Sequence, residues 1–210
     1  MARRGVSNPL ALAVLALLFE RPMHPYELAA TMRERGHEGS IKLNYGSLYT
    51  VVEALEREKL IVPRETVREG RRPERTVYAL TEAGRAKLLG WMRELLSQPV
   101  KEYPQFTAGL ALAGVLPPAE VAELLSERAR RLEQEVGNRR SQMQVHMQGG
   151  LARLFLIEEE HRLVLAEAEL QWVRELAREI REGTLDGIDM WRSFHEAHEG
   201  GGAAGPEPQT

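Results

Sequence analysis

The 210-residue sequence contains no cysteine. A disulfide framework, a thiolate metal site and a cysteine nucleophile are therefore excluded, and a reducing compartment, the cytoplasm, is the expected location. Long apolar runs are scarce as well. The run at Leu10–Phe19 is too short for a transmembrane helix, and Glu20-Arg21 follows it in place of a signal-peptide cleavage site. We therefore expect no membrane segment.

Signatures of catalysis are also missing. The sequence has no glycine-rich phosphate loop, and no histidine has a nucleophile at helical spacing. His195 and His198 are three residues apart, but two ligands beside a Gly- and Pro-rich end make a poor metal site. We therefore predict a chain that is not an enzyme and that has neither a metal site nor a cofactor.

Basic residues are in the minority over the whole chain, with 28 Lys and Arg against 31 Asp and Glu. The two halves differ, however. Residues 1–96 carry 16 basic and 12 acidic side chains, a net +4, whereas residues 97–210 carry 12 and 19, a net −7. Such asymmetry indicates that the first half meets a polyanion and that the second half has another role. We predict one domain at 1–96, a second at 97–196 and a disordered tail at 197–210.

Helix signals in the first half predict three helices. Asn8-Pro9 is an N-cap followed by a first-turn proline, and His24-Pro25 opens a second helix that Gly36 ends. Asn44 caps a third helix. The apolar residues of this third helix fall on one stripe and comprise Leu48, Val51, Val52 and Leu55. Its tyrosines and hydroxyl residues lie mostly off that stripe, on the face predicted to be exposed.

From residue 60 the pattern changes to that of a β-hairpin. Ile61–Pro63 and Thr76–Leu80 are strand-like runs around a turn-rich, arginine-rich segment, and Thr81 caps a fourth helix. Three helices, a hairpin and a helix form the order of a winged helix-turn-helix. The predicted fold is therefore mainly α with a small β-hairpin wing, a winged helix-turn-helix domain followed by a C-terminal helical dimerisation domain.

Acidic residues are missing from the start of the third helix, since Gly39–Val52 contains Lys42 but no Asp or Glu. A helix N-terminus binds phosphate, hydroxyl groups bond base edges, and guanidinium groups match phosphate geometry. A merely solvated helix start and loop are the alternative. The residues predicted to contact double-stranded DNA are Lys42, Asn44, Tyr45, Ser47, Tyr49 and Thr50 in the helix and Arg68, Arg71, Arg72 and Arg75 in the hairpin.

The second half predicts two long helices, one from Pro117-Pro118 and one from Leu151 towards Arg181, with Gly149-Gly150 between them. The side chains predicted to lie near one stripe of the second helix are Leu151, Leu154, Phe155, Arg162, Leu165, Trp172, Val173, Leu176 and Ile180. Two amphipathic helices of this length leave apolar surface uncovered in a monomer, so we expect a homodimer. Packing of both helices onto the first domain of a monomer is the alternative.

Four segments resemble the PadR family of transcriptional regulators in their order and spacing. They are His24–Leu28, Tyr45–Tyr49, Val52–Glu56 and Arg75–Gly84. The resemblance is strong over residues 8–96 and looser in the second half, where it rests on Phe106, Leu110 and the stretch 168–172. Ser47 and Thr50 depart from the threonine and proline that are usual in the family, which leaves the operator sequence open.

The resemblance implies a winged-helix dimer that acts mostly as a repressor, with effectors bound near the dimer interface or between the two halves. The apolar stripes supply the residues predicted for the dimer and a small aromatic effector, with plain packing as the alternative: Trp91, Phe155, Leu165, Trp172, Val173 and Leu176. The leading hypothesis is therefore a dimeric DNA-binding regulator released by an effector. The alternative is a winged-helix dimer that serves as a protein-protein interaction module without binding DNA.

Overall fold

The computed structural model describes residues 8–67 and 75–200. Contacts along the chain divide it into two units, Met1–Glu102 and Tyr103–Thr210. The elements of the first unit are α1 (Pro9–Glu20), α2 (Pro25–Glu34), α3 (Tyr45–Arg57), β1 (Ile61–Val67), β2 (Arg75–Leu80) and α4 (Glu82–Ser97). This order confirms the predicted winged-helix fold. Among the described residues, no helix is both long and apolar enough to cross a membrane.

The predicted caps begin the helices of the first unit. The Asn8 Oδ1 accepts a hydrogen bond from the Ala11 N–H at 2.8 Å, and the Thr81 Oγ1 accepts one from the Gly84 N–H at 2.9 Å. Each cap satisfies an amide that has no partner within its own helix. Helix α1 buries seven of its twelve residues and forms the centre of the core, against which α2, α3 and α4 pack.

The two strands form an antiparallel hairpin in which Ile61 pairs with Leu80. The register shifts between Pro63 and Glu65, so Arg64 lies at a bulge, where its side chain is exposed. Helix α4 approaches the hairpin closely. A Cβ on Gly84 would lie 2.0 Å from the Leu60 carbonyl oxygen, so only glycine fits at this contact.

The second unit is a helical hairpin with two shorter helices. Its elements are α5 (Gln105–Ala111), α6 (Pro118–Gln148), α7 (Ile157–Glu182) and α8 (Ile188–Gly200). Helices α6 and α7 are antiparallel and pack along most of their length. Ion pairs link the two helices, among them Arg139 with Glu159 at 2.5 Å and Arg174 with Glu133 at 2.6 Å. The core residues of α7 recur at alternating spacings of three and four, the pattern of a coiled coil.

Two predictions for the second half are wrong. Helix α7 begins at Ile157 rather than Leu151, because a 3₁₀ turn at Arg153–Phe155 precedes it. The single apolar stripe is also wrong, since successive helical side chains point about 100° apart. Val173 is completely buried against α6, whereas its neighbour Trp172 is 48% exposed. Helix α8 extends to Gly200, four residues past the predicted end of the second domain.

Candidate DNA interface and candidate effector pocket

The N-terminal half of α3 exposes the polar face that the sequence predicts. Lys42 and Asn44 precede the helix and are exposed, as are Ser47, Tyr49 and Thr50 within it. Tyr45 is the first helical residue, and its side chain lies outside the described part of the structure. The opposite face is buried through Leu48, Val51, Val52 and Leu55. The core therefore fixes the rotation of α3 and leaves Ser47, Tyr49 and Thr50 exposed on the other side of the helix.

Hydrogen bonds within α3 determine which polar groups remain available. The Asn44 Oδ1 accepts from the Ser47 N–H at 2.7 Å, which caps the helix. The Thr50 Oγ1 donates to the Gly46 carbonyl at 3.0 Å, so its oxygen keeps its capacity to accept a hydrogen bond. At the surface, Thr50 therefore offers an acceptor and a methyl group, whereas Ser47 offers a hydroxyl that can donate or accept.

Gly46 is not among the residues that the sequence predicts to contact DNA. It is exposed in the first turn of α3, and a Cβ there would meet only the Asn44 Oδ1 at 3.5 Å, an ordinary contact. The fold therefore does not require glycine at this position, in contrast to Gly84. A helix start without a side chain lets a ligand approach the backbone closely, which is the usual advantage of glycine at phosphate sites.

Most of the predicted wing contacts lie outside the described residues. Arg68, Arg71 and Arg72 belong to residues 68–74, between the two described ranges. Arg75 is the first residue of β2, where its backbone pairs with Val67, but its side chain is not described. The contribution of these arginines stays a prediction.

Two exposed ion pairs connect the C-terminal end of α1 with α2. The Arg35 guanidinium donates to both carboxylate oxygens of Glu20, at 2.5 and 2.7 Å, and Arg21 contacts Glu27 at 2.5 Å. Hydrogen bonds from these arginines lower the pKa values of both carboxyl groups, which therefore stay charged well below neutral pH. In the wing, burial and the carboxylate of Glu56 raise the pKa of Tyr78.

A pocket of about 560 Å³ opens between α5, α6 and α7. Phe106 and Trp172 meet edge to face, with ring centroids 6.4 Å apart. The Arg128 guanidinium lies 3.6 Å from the centre of the Phe106 ring, and its Nε donates to Glu169 at 2.6 Å. Aromatic walls with one fixed ion pair suit a flat ligand that carries a polar group.

The structure does not bring the six predicted dimer and effector residues together. Only Trp172 lines the pocket. Val173 and Leu176 pack into the core between α6 and α7, while Leu165 and Phe155 are 57% and 71% exposed. Trp91 belongs to the first unit, where it packs on the core with the Lys87 Nζ 5.8 Å from its ring centre.

Sequence analysis did not predict which residues join Trp172 in the pocket. Phe106 and residues 168–172 were noted only for the family resemblance, and Arg128 was not noted at all. Phe106 and Arg128 lie on other helices than Trp172, so no local spacing connects them to it. Near the end of the second unit, the His195 Nε2 lies 2.9 Å from the Gly114 carbonyl, and the side chain of His198 is not described. Within the described residues, no cluster of three or more His, Asp or Glu could hold a metal ion.

Comparison with known proteins supports the family resemblance. Residues 14–89 match the model of the transcriptional regulator PadR-like family. No protein of curated function matches the chain in sequence. Structures of PadR from Bacillus subtilis match with high coverage. Its complex with operator DNA is 18% identical, covers 81% of this chain and 98% of its own, and has a TM-score of 0.65.

Two further structures are similar. The complex of the same Bacillus subtilis protein with p-coumaric acid is 16% identical, covers 84% of this chain and 99% of its own, and has a TM-score of 0.62. The PadR-like regulator BC1756 from Bacillus cereus is also 16% identical, with coverages of 83% and 99% and a TM-score of 0.55. At this level of identity the likeness establishes the fold, and residues 14–89 are similar to the PadR-like family.

Proposed function

Because residues 14–89 match a family of transcriptional regulators, we propose that this chain is a sequence-specific, double-stranded-DNA-binding repressor. It acts without catalysis, in the cytoplasm, as a homodimer on a near-palindromic operator. The observation that carries this proposal is the N-terminal half of α3, which exposes Ser47, Tyr49 and Thr50 and has no acidic residue between Gly39 and Val52. Such a face suits a major groove lined by phosphates.

Each element has a distinct part in the proposed complex. The first turn of α3 approaches a phosphate through its amides and Gly46, while Ser47, Tyr49 and Thr50 face base edges. The wing arginines contact phosphates of the flanking backbone and supply affinity that is independent of sequence. A homodimer presents two such surfaces to successive half-sites, about 34–36 Å apart on B-DNA.

The test is a footprint of the purified full-length protein on the DNA upstream of its own gene, followed by titration of the protected duplex. We expect a protected near-palindrome. Tyr49→Ala should weaken operator binding about tenfold or more, since single base or phosphate contacts contribute about 1–3 kcal/mol. Tyr103→Ala is the matched control, because it removes an exposed tyrosine from the second unit and should leave affinity unchanged.

Salt dependence separates this proposal from its alternative, a winged-helix dimer that binds another protein. Binding through arginine-phosphate contacts weakens steeply with ionic strength, and Arg71→Ala with Arg72→Ala should flatten that slope by up to about two units per wing. A duplex that is never protected, or affinity unchanged by Tyr49→Ala in a folded dimer, would instead favour the interaction module.

We propose further that a flat aromatic effector binds the pocket at Trp172 and releases the operator. Bacillus subtilis PadR, which has a similar fold, has been seen in complex with p-coumaric acid. In this chain the Phe106 and Trp172 rings can stack on such a ligand, and the Arg128–Glu169 pair can orient its polar group. Release requires that the effector bind the DNA-incompetent state more tightly than the DNA-bound state.

The effector proposal is tested by adding phenolic acids and aromatic cations to the complex of protein with operator. Trp172→Phe should preserve folding and operator binding but shift the concentration of compound that releases DNA. Trp91→Phe, a change in the core of the first unit, is the control and should not shift it. If both variants respond like the parent, the effector binds elsewhere and Trp172 only packs.

A further inference from the structure

Arginines in the two units differ in their partners. In the second unit most of them are paired with a carboxylate. In the first unit, Arg64 of β1 and Arg85 of α4 form no ion pair with any residue that the structure describes. A guanidinium group without a carboxylate keeps its charge and its N–H donors available for a bound anion.

Arg64 and Arg85 line the same pocket, which we call the wing-base pocket. It has a volume of about 300 Å³ and opens where the C-terminal end of α1, the two strands and the first turn of α4 meet. Its apolar wall includes Phe19 and Pro22, and Phe19 is 45% exposed. Two cations from separate elements therefore converge on a pocket that is partly apolar.

The β-bulge in β1 places Arg64. Pro63 pairs with Tyr78 and Glu65 with Val77, so Arg64 is the additional residue that has no partner on β2. Bulges commonly occur beside functional sites, where they change the direction of a side chain. Here the bulge coincides with an arginine that lines a pocket.

The ring of Phe19 positions Arg85. The Arg85 guanidinium carbon lies 4.9 Å from the centre of the Phe19 ring, which is within the range of a cation–π contact. Such a contact leaves most of the guanidinium N–H groups free to donate hydrogen bonds. Arg85 is therefore oriented by an apolar side chain rather than by an acid.

The carboxylates at the wing-base pocket leave it positively charged. Glu20 lines the pocket, but both of its carboxylate oxygens accept hydrogen bonds from Arg35, and Arg21 is paired with Glu27. Among the described residues, two guanidinium groups therefore remain against one carboxylate, that of Glu82. Helix α1 also ends here, and Arg85 offsets the partial negative charge of its C-terminal carbonyl groups.

We propose that the wing-base pocket binds a small organic phosphate, whose phosphate group bridges Arg64 and Arg85. Guanidinium groups match the geometry of phosphate oxygens, and two of them balance its charge. The volume equals that of about ten water molecules at about 30 Å³ each, so a compact organic group fits beside the phosphate. That group lies on the exposed part of the Phe19 ring. The bound ligand links β1 to α4 at the base of the wing.

The position of the pocket favours a free ligand over the backbone of the operator. Thr81, which lines the pocket, donates to the carbonyls of Lys59 and Leu60, directly after the C-terminal end of α3. The proposed base contacts end at Thr50, nine residues before Lys59, or about 14 Å along a helix. The pocket therefore lies at the opposite end of α3 from the residues that are proposed to read DNA.

A phosphorus NMR titration of the full-length protein with phenyl phosphate, without DNA, tests the proposal. We expect saturable binding. Arg64→Gln and Arg85→Gln should each weaken it about tenfold or more, because each removes charged hydrogen bonds to the phosphate. Arg93→Gln is the matched control, since it removes an exposed charge from α4 outside the pocket and should leave the affinity unchanged. Phenyl phosphate should bind more tightly than inorganic phosphate, and Phe19→Leu should reduce that preference.

Several results would overturn the proposal. They are the absence of saturable binding, undiminished binding by a folded variant that lacks both arginines, and an equal loss in Arg93→Gln. Equal affinities for phenyl phosphate and inorganic phosphate would refute the placement of the organic group on Phe19.

Contact of the two arginines with the operator is the remaining outcome. In that case the double variant would flatten the salt dependence of operator affinity by up to about two units per protomer, and phenyl phosphate would not bind the parent protein. This result would also refute the site for a free ligand. Because ligand binding is measured without DNA, its failure leaves the proposed repressor function untouched.

Discussion

Helices α3 and α7 each bury one face in the core of their own unit and expose the other, yet the exposed faces differ in chemistry. The exposed face of α3 carries Ser47 and Thr50 with one large ring, Tyr49. The exposed face of α7 carries Ile157, Val164, Leu165 and Trp172. Exposing the polar face of α3 to water costs little free energy, whereas exposing the apolar face of α7 is unfavourable. The comparison indicates a hydrated, polar partner for α3 and an apolar partner for α7.

The largest effect should come from placing a charge on the exposed apolar face of α7. If this face pairs in the proposed homodimer, Leu165→Glu would bury a carboxylate that has no partner, and we expect the dimer dissociation constant to rise at least about 100-fold, or about 3 kcal/mol. Operator affinity should fall with it, because one protomer reaches only one half-site. Sedimentation velocity over a concentration series measures the first effect.

The control for this variant is Gln144→Glu, which adds the same charge at an exposed position of α6. It should leave the dimer intact. If Leu165→Glu also remains a dimer at the concentration at which the parent is one, the apolar face of α7 does not pair with a second copy.

Two valines on α7 allow a second test. Val173→Ala should destabilise the folded protomer by about 2 kcal/mol, because it leaves a cavity at a completely buried position. Val164→Ala makes the same change at a position that is 57% exposed, so the free energy of unfolding of the monomer should change less. Urea unfolding of both in the Leu165→Glu background, where pairing is absent, makes the measurement. Equal losses would mean that the two faces are not distinct.

The sequence was a good guide wherever a helix has a single apolar stripe. Asn8, Asn44 and Thr81 mark helix starts that the structure confirms, and the burial of Leu48 and Leu55 follows from their spacing. These signals are local. A cap needs only three or four residues, and a stripe needs only one helix.

The sequence failed where two surfaces share one helix. Trp172 and Val173 are both apolar, and hydrophobicity alone does not reveal that one is half exposed and the other completely buried. The start of α7 was misplaced because Leu151–Leu156 has helix-forming composition, whereas the structure has a 3₁₀ turn at Arg153–Phe155. The pocket partners Phe106 and Arg128 depend on how three helices meet, which no local pattern encodes.

On α3, a substitution at Gly46 separates the stability of the helix from its binding to DNA. Gly46→Ala should raise or maintain helix stability, since alanine is favoured over glycine by about 1 kcal/mol and the Cβ meets no close neighbour. Operator affinity should nevertheless fall about tenfold, because the new methyl group lies where a phosphate must approach. Fluorescence anisotropy with labelled operator and thermal unfolding provide the two readouts.

Gly90→Ala is the matched control on α4. It also replaces a helical glycine whose Cβ would meet no atom within 4 Å, so it should stabilise the fold and leave DNA binding unchanged. Unchanged affinity in Gly46→Ala would place the DNA backbone farther from α3 than we propose.

The smallest effect concerns how the two helices end. Both helices end with the same type of backbone hydrogen bond, in which an amide beyond the helix donates to a carbonyl five residues earlier. After α3 the Leu60 N–H donates to the Leu55 carbonyl at 2.9 Å, and after α7 the Thr184 N–H donates to the Glu179 carbonyl at 2.9 Å. Each motif needs one residue with a left-handed backbone. After α7 this residue is Gly183, with a φ of 71°, but after α3 it is Lys59, with a φ of 59°.

A side chain in the left-handed region destabilises the folded state by about 1–2 kcal/mol. Glycine removes this strain, but part of the gain is lost because glycine also raises the conformational entropy of the unfolded chain. Lys59→Gly should therefore stabilise the first unit by about 0.5 kcal/mol, seen as a higher urea midpoint by circular dichroism. Lys59→Ala removes the same charge but keeps the Cβ, so it should give no gain. If both variants shift the midpoint equally, the lost charge rather than the backbone is responsible, and the two helix ends are equivalent in stability despite their different residues.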